Sequence, residues 1–191
     1  MSSDLTDHNT EANLAAALEC VLYLAGEPLS TAELARILEV TPRRAEEIAA
    51  QLAASLEGRG LQVVNVAGGY RLCTRPEYSP YVERIHPPQR IRLSRAALET
   101  LAIVAYRQPV TRPEVEAIRG VNVDGVVETL LNYGLVSEKG RKQAPGRPTL
   151  YCTTEEFLTR FGLNRLNDLP PLPEGEQASA VLLQAQAAAA D

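Results

Sequence analysis

Tryptophan is absent from this 191-residue chain, phenylalanine occurs twice, and aromatics make up only 5% of it, so any core must be aliphatic. Histidine also occurs twice: His8 lies in a polar N-terminal stretch and His86 between prolines. Neither has a sequence neighbour that suggests a base–nucleophile pair, which removes the commonest general-base chemistry. There is no G-x-x-x-x-G-K-[ST] loop to hold a nucleotide phosphate. The three cysteines, Cys20, Cys73 and Cys152, are odd in number and far apart. They are expected to be small buried hydrophobes in a reducing compartment rather than a disulfide framework or a zinc site. No apolar run approaches the ~20 residues that span a bilayer. The polar, acidic start Met-Ser-Ser-Asp-Leu-Thr-Asp is unlike a signal peptide. These absences point to a cytoplasmic protein that is not an enzyme and uses no cofactor or metal.

The net charge of −5 is unevenly spread. Residues 1–83 carry 6 Lys/Arg against 12 Asp/Glu, residues 84–147 carry 11 against 6, and residues 148–191 carry 2 against 6. An acidic–basic–acidic chain suits pairing with proteins, or with itself, better than coating nucleic acid.

The apolar spacing of Leu14, Ala17, Leu18, Val21, Leu22 and Leu24 predicts a first helix, ended by Gly26-Glu27-Pro28. Ser30-Thr31-Ala32-Glu33 reads as a capping box opening a second helix that buries Leu34, Ile37 and Leu38. Thr41-Pro42 opens a third, with Ala45, Ile48, Ala49, Leu52 and Leu56 inward. Residues 61–66 and 70–74 then read as strands around Gly68-Gly69. The order recurs in residues 94–152. Ser94 caps a helix bearing Leu98, Leu101, Ala102 and Ala105, Gln108-Pro109 ends it, and Thr111-Arg112-Pro113-Glu114 is a second capping box, followed by Val115 and Ile118. Asn122 is expected to cap the next helix, with Val126, Val127, Leu130 and Leu131 inward. At a constant offset of 81, Ser30 meets Thr111, Glu33 meets Glu114, Ile37 meets Ile118, Val40 meets Val121 and Thr41 meets Asn122.

After the second set of helices, residues 135–138 and 149–152 read as strands flanking a basic, proline-stiffened loop that holds Lys139, Arg141, Lys142 and Arg147. Three helices and a hairpin with such a loop describe a winged helix. The fold class is mainly α with small β-hairpins (α+β), as two tandem winged-helix domains. The expected layout is a disordered tail at 1–12, an N-terminal winged helix at 13–75 and a Pro/Arg linker at 76–93. A C-terminal winged helix at 94–169 and a Pro-then-Ala/Gln-rich tail at 170–191 complete it. Within the linker, Tyr78, Tyr81, Val82 and Ile85 suit a short helix packed on the first unit.

A winged helix first suggests DNA read by its third helix. Residues 122–133 contain Asp124 and Glu128 but no Lys or Arg, and residues 42–57 set Arg43 and Arg44 against Glu46, Glu47 and Glu57. Phosphates would repel such helices. A sequence-specific regulator is therefore the minor alternative, and DNA contact is expected to be weak and non-specific at most. The basic loop is either a solvated face or a contact surface for protein or, weakly, for DNA. Helix one of the first unit is apolar nearly all round, which suggests a homodimer interface through Leu18, Leu22 and Tyr23.

Residues 97–112 (Ala-Leu-Glu-Thr-Leu-Ala-Ile-Val-Ala-Tyr-Arg-Gln-Pro-Val-Thr-Arg) resemble the segregation and condensation protein B (ScpB) family. So do Glu116–Val121, Gly140-Arg141-Lys142 with Pro145–Tyr151, Thr153–Leu158, Phe161-Gly162-Leu163 and Leu169–Leu172. The likeness is dense over residues 94–172 and looser over 14–74, where it rests on Gly26-Glu27-Pro28-Leu29. The resemblance implies a non-enzymatic subunit of the bacterial condensin complex that supports chromosome segregation during cell division. It also implies dimerisation mainly through the N-terminal domain, binding of the kleisin ScpA, and an SMC ATPase reached through that kleisin at the nucleoid. On physical grounds the kleisin candidates are Tyr106, Arg107, Arg141, Lys142, Arg147 and Tyr151.

Overall fold

The computed structural model describes residues 11–85 and 93–171. The expected N-terminal tail, His86 and the Ala/Gln-rich segment fall wholly or largely outside those residues. The chain divides into two compact units on either side of Pro87 and Pro88.

The first unit runs α1 (Glu11–Ala25), β1 (Leu29–Ser30), α2 (Thr31–Ile37), α3 (Pro42–Ser55), β2 (Leu61–Val66) and β3 (Gly69–Thr74). A 3-10 turn at Pro76–Tyr78 and α4 (Ser79–Val82) follow. Ser30 opens α2 as the sequence predicts: Glu33 N–H donates to Ser30 Oγ at 3.3 Å, and Ser30 N–H donates to Glu33 Oε2 at 2.9 Å. Thr41 Oγ1 accepts from Arg44 N–H at 3.3 Å, with Pro42 as the first helical residue of α3. Leu18, Leu34, Ile48, Leu52 and Leu56 are fully buried and form the core.

The hairpin of the sequence reading is in fact a three-stranded antiparallel sheet, in the order β1-β3-β2. Its extra strand exists because Ser30, as an N-cap, is already extended at φ −64° and ψ 157°, so the same residue pairs with Gly69 before the helix begins. A Cβ on Gly69 would lie 2.8 Å from the carbonyl carbon and oxygen of Leu29. Gly69→Ala is therefore expected to destabilise the first unit by about 1–3 kcal/mol, the usual range for overpacking. Thermal melts of the two proteins check this, and equal melting temperatures would mean that β1 yields freely.

Some expectations for this unit are corrected. Ile37 is 40% exposed rather than buried, and Leu38 is only partly covered. Cys20 is exposed, while Cys73 and Cys152 are half-buried. Burial pushes the Cys73 thiol upward, away from reactivity. The linker residues Tyr81 and Ile85 stay exposed and Val82 is half-buried, while Tyr78, itself 40% exposed, has its ring 3.9 Å from where a Cβ on Gly60 would stand.

The second unit repeats the order with α5 (Arg95–Arg107), β4 (Val110–Thr111), α6 (Arg112–Arg119), α7 (Asp124–Asn132), β5 (Val136–Arg141), β6 (Thr149–Thr153) and α8 (Glu155–Arg160). A 3-10 turn at Leu166–Asp168 closes it. The sheet order is β4-β6-β5, so the two units share one topology: tandem winged helices. β1 and β4 begin at Leu29 and Val110, also 81 residues apart. The offset extends to burial: Leu34 and Val115 are buried, whereas Ile37 and Ile118 are exposed.

Asn122 is not the N-cap of α7. That position is Val123, and Asn122 Oδ1 instead accepts from Asp124 N–H at 3.0 Å, one residue further in. Leu101, Val115, Leu130, Leu135 and Phe157 are fully buried in this unit's core. An ion pair tucked between helices joins α6 to α5. Arg119 Nη2 lies 2.9 Å from Glu99 Oε2, and Nη1 donates to Thr100 Oγ1 at 2.9 Å and Ala96 O at 3.1 Å. This clamp satisfies the buried Thr100 hydroxyl, and neither element's periodicity announces it.

Candidate partner-binding groove and wing

α5 stops at Arg107 because Pro109 has no N–H to continue it. Gln108 then ties the helix end to the sheet: its Nε2 donates to Ala105 O at 3.1 Å and to Thr153 Oγ1 at 2.8 Å, and its Oε1 accepts from Thr153 N–H at 2.9 Å. From that anchor the chain enters β4, where Val110 pairs with Tyr151 and Thr111 with Leu150, and then turns into α6. The end of α5, β4 and the outer side of α6 enclose a groove of about 340 Å³, lined by Arg107, Pro109, Val110, Glu114, Ala117 and Ile118. Its walls are mainly apolar, with Ile118 55% exposed, and one cation and one carboxylate stand at its sides.

Glu114 joins groove and wing. Its Oε2 accepts from Thr111 N–H at 2.8 Å and from Thr111 Oγ1–H at 2.7 Å, completing the second capping box. Its Oε1 takes Lys142 Nζ from the wing. The ammonium of Lys142, followed by the Thr111 backbone and hydroxyl donors, holds the Glu114 carboxyl at about 2, well below its ordinary 4.5. Because the folded value is depressed, the tether contributes fully above pH 4.5 and is lost as pH falls from there toward 2. Glu114→Gln should thus lower the melting temperature at pH 6 but leave it unchanged near pH 2. A difference that persists at pH 2 would assign the effect to packing rather than to charge.

The sequence-derived candidates separate in the structure. Arg107 lines the groove, Lys142 touches it through Glu114, and Tyr151 lies behind it, buried, across the sheet from Val110. The Tyr151 hydroxyl accepts from Arg112 Nη2 at 3.4 Å, and Arg112 Nη1 pairs with Asp124. Tyr151 is therefore a supporting residue and presents no contact surface. Tyr106 points elsewhere, donating its hydroxyl to Pro170 O at 2.7 Å; burial raises its phenol. Arg141 and Arg147 lie exposed on the wing, with Arg141 Nη1 donating to Arg147 O at 3.3 Å. Sequence reasoning missed Gln108, Glu114 as the wing's partner, and Ile118 as an outward residue. The equivalence of Ile118 to Ile37 is visible at the offset of 81, but the spacing had placed Ile37 inward and left the side of Ile118 open.

The proposed dimer residues are also redistributed. Leu18 and Leu22 are 0% and 3% exposed inside the first unit's own core and have nothing left to offer a second chain. Tyr23 and Leu24 are 75% and 80% exposed. Among the described residues no helix is long and apolar enough to cross a membrane, and no three His, Cys, Asp or Glu side chains gather as metal ligands.

Residues 16–172 match the family described as segregation and condensation complex subunit ScpB. The chain belongs to that family. The segregation and condensation protein B of Moorella thermoacetica is 58% identical over 164 residues, 85% of this chain and 84% of its own. The ScpB of Desulforamulus reducens is 52% identical over 160 residues, 83% and 88% of the two chains. A solved ScpB N-terminal domain dimer complexed with ScpA peptide is 32% identical, covers 37% of this chain and 91% of its own, and has a TM-score of 0.36. The matched residues 16–172 include every residue lining the groove.

Proposed function

We propose that this ScpB-family chain is a non-catalytic accessory subunit of a bacterial segregation and condensation complex, acting at the nucleoid in the cytoplasm. It holds an apolar segment of the kleisin ScpA in the groove between α5, β4 and α6, and reaches the SMC ATPase through that kleisin. The observation that carries the reading is the groove itself. It is an open, apolar channel on a rigid helix–strand frame, with Arg107 and Glu114 placed to fix the direction of an entering segment. An amphipathic helix or extended segment that lays its apolar side chains into such a channel is bound by burial and oriented by the flanking charges. A homodimer, paired through the exposed Tyr23 and Leu24 of α1, would present two such grooves. One kleisin chain engaging more than one site then gains affinity through effective concentration alone.

Light scattering on a sizing column tests the proposal, first on the chain alone and then with its cognate ScpA. The expected result is a dimer that moves to a heavier, saturable complex. A monomer indifferent to ScpA would overturn both parts. For the dimer face, Tyr23→Glu together with Leu24→Glu is expected to give folded monomers whose melting temperature no longer depends on protein concentration, since neither side chain belongs to the core of the single chain. A dimer that survives the pair would move the interface away from this face. A DNA-reading regulator is disfavoured by α7, whose exposed residues include Asp124 and Glu128 and no cation.

A further inference from the structure

The wings of the duplicated units differ sharply in charge. In the first unit the turn between β2 and β3 is Ala67-Gly68, with no charge. In the second, residues 138–148 carry Lys139, Arg141, Lys142 and Arg147 against Glu138 alone. Both lysines of the entire chain, Lys139 and Lys142, lie in this wing; every other cation among its Lys and Arg residues is an arginine. Lys142 is tied to Glu114, but among the described residues no carboxylate pairs with Lys139, Arg141 or Arg147, and all three are exposed.

The loop holds these cations in a set shape. Lys142 N–H donates to Pro148 O at 2.9 Å, Ala144 N–H to Lys142 O at 3.0 Å, and Arg147 N–H to Ala144 O at 2.8 Å. Arg147 sits at φ +42°, a left-handed conformation that a non-glycine residue adopts only under constraint. The ladder shifts register between Glu138 and Arg141, with Gly140 at φ +98°, so the strand bends as it enters the loop.

We propose that the second wing binds the phosphate backbone of duplex DNA, weakly and without sequence preference, through Lys139, Arg141 and Arg147. The chemistry separates this partner from an acidic protein segment. Protein partners anchor side chains in pockets, and the apolar groove of this unit is built from α5, β4 and α6, not from the wing loop. A phosphate backbone needs only exposed cations on a stiff support. The acidic α7 excludes base reading, so the contact rests on the wing alone. It is independent of kleisin capture, because none of the three residues lines the groove.

The test is fluorescence anisotropy of two labelled 30-base-pair duplexes of unrelated sequence, titrated with the full chain at several salt concentrations. Three neutralised phosphates predict a log–log salt slope of about −2.7, or roughly a 40-fold loss of affinity between 50 and 200 mM salt. The two duplexes should bind alike. Each of Lys139→Gln, Arg141→Gln and Arg147→Gln should remove about one from the slope. Joint charge reversal of the three should abolish binding while ScpA still forms its complex. Duplex should also protect Lys139 from acetylation, read by mass spectrometry. Absence of binding at 50 mM salt, or a triple variant that binds DNA as well as the parent, overturns the proposal. So does a triple variant that loses ScpA but not DNA, which would make the wing a protein contact.

Discussion

Phe157→Ala is expected to destabilise the second unit by about 3–5 kcal/mol, the range for truncating a buried aromatic. Phe157 is 0% exposed, and its ring centroid lies 4.7 Å from that of Phe161 at a tilt of 33°. The two rings are the only phenylalanines of the chain and belong to the same core cluster as Leu130, Leu135 and Tyr151, so removing one opens a cavity at its centre. α8 has six residues, too few to be helical without tertiary support. Thr154 caps it, accepting from Phe157 N–H at 3.1 Å and donating to Gly134 O, which links the helix to the turn before β5. Losing the ring therefore loosens α8 and the start of β5 together. Urea unfolding followed by circular dichroism should show part of the transition moved to lower urea by about 1–5 M, given ordinary slopes. A shift worth under 1 kcal/mol would mean that α8 merely decorates the unit.

Ile118→Asp should do the opposite: large for binding, small for stability. More than half of the Ile118 surface is exposed, so the fold loses little and the melting temperature should stay within a few degrees. In the proposed complex the same side chain is covered by an apolar segment of ScpA. A carboxylate there must be desolvated next to Glu114, with no cation besides Arg107 lining the groove. The expected loss is at least about 2 kcal/mol, or roughly 30-fold in affinity, as for an interface hot spot. Titration calorimetry with ScpA reads it directly. Ile37→Asp, at the equivalent position of the first unit, is the informative companion. A matching loss there would extend the binding surface to both units, and no loss would confine it to the second. If Ile118→Asp binds ScpA like the parent, the groove is not the docking site.

The two predictions separate what the sequence states openly from what it leaves ambiguous. Helix starts are local chemistry. Ser30, Thr41, Ser94, Thr111 and Thr154 are each a short polar side chain within three residues of the amides it serves, so caps can be placed without knowing the fold. The repeat is legible for the same reason, since Ser30 and Thr111, each opening a capping box, stand 81 residues apart. Where local signals were weaker the reading slipped. Asn122 has the residue type of a cap, yet Val123 takes the position, and the Asn122 side chain instead bonds the backbone N–H and the carboxylate of Asp124. The two-residue strands β1 and β4 could not be seen, because two residues have no period.

Sides of helices proved harder still. α1 is apolar almost all round, and hydrophobic spacing cannot say which part of such a surface its own unit covers. Packing against α3 and β3 buried Leu18 and Leu22 and left Tyr23 and Leu24 outside. Short α2 and α6 carry an isoleucine near the end, where the chain turns away and no neighbour remains to cover it, so Ile37 and Ile118 stay in water. The candidate site shows the same division. That the wing is basic and stiff, that α7 is acidic, and that no catalytic or nucleotide-binding motif is present are properties of residue type and spacing, and the sequence alone determines them. Only tertiary structure decided that Lys142 is neutralised by Glu114, that Tyr151 faces inward to Arg112, that Tyr106 is held by Pro170, and that Arg107 and Ile118 border one groove. Each of these depends on segments between 11 and 64 residues apart meeting in space, where burial and charge are set by neighbours that no local pattern contains.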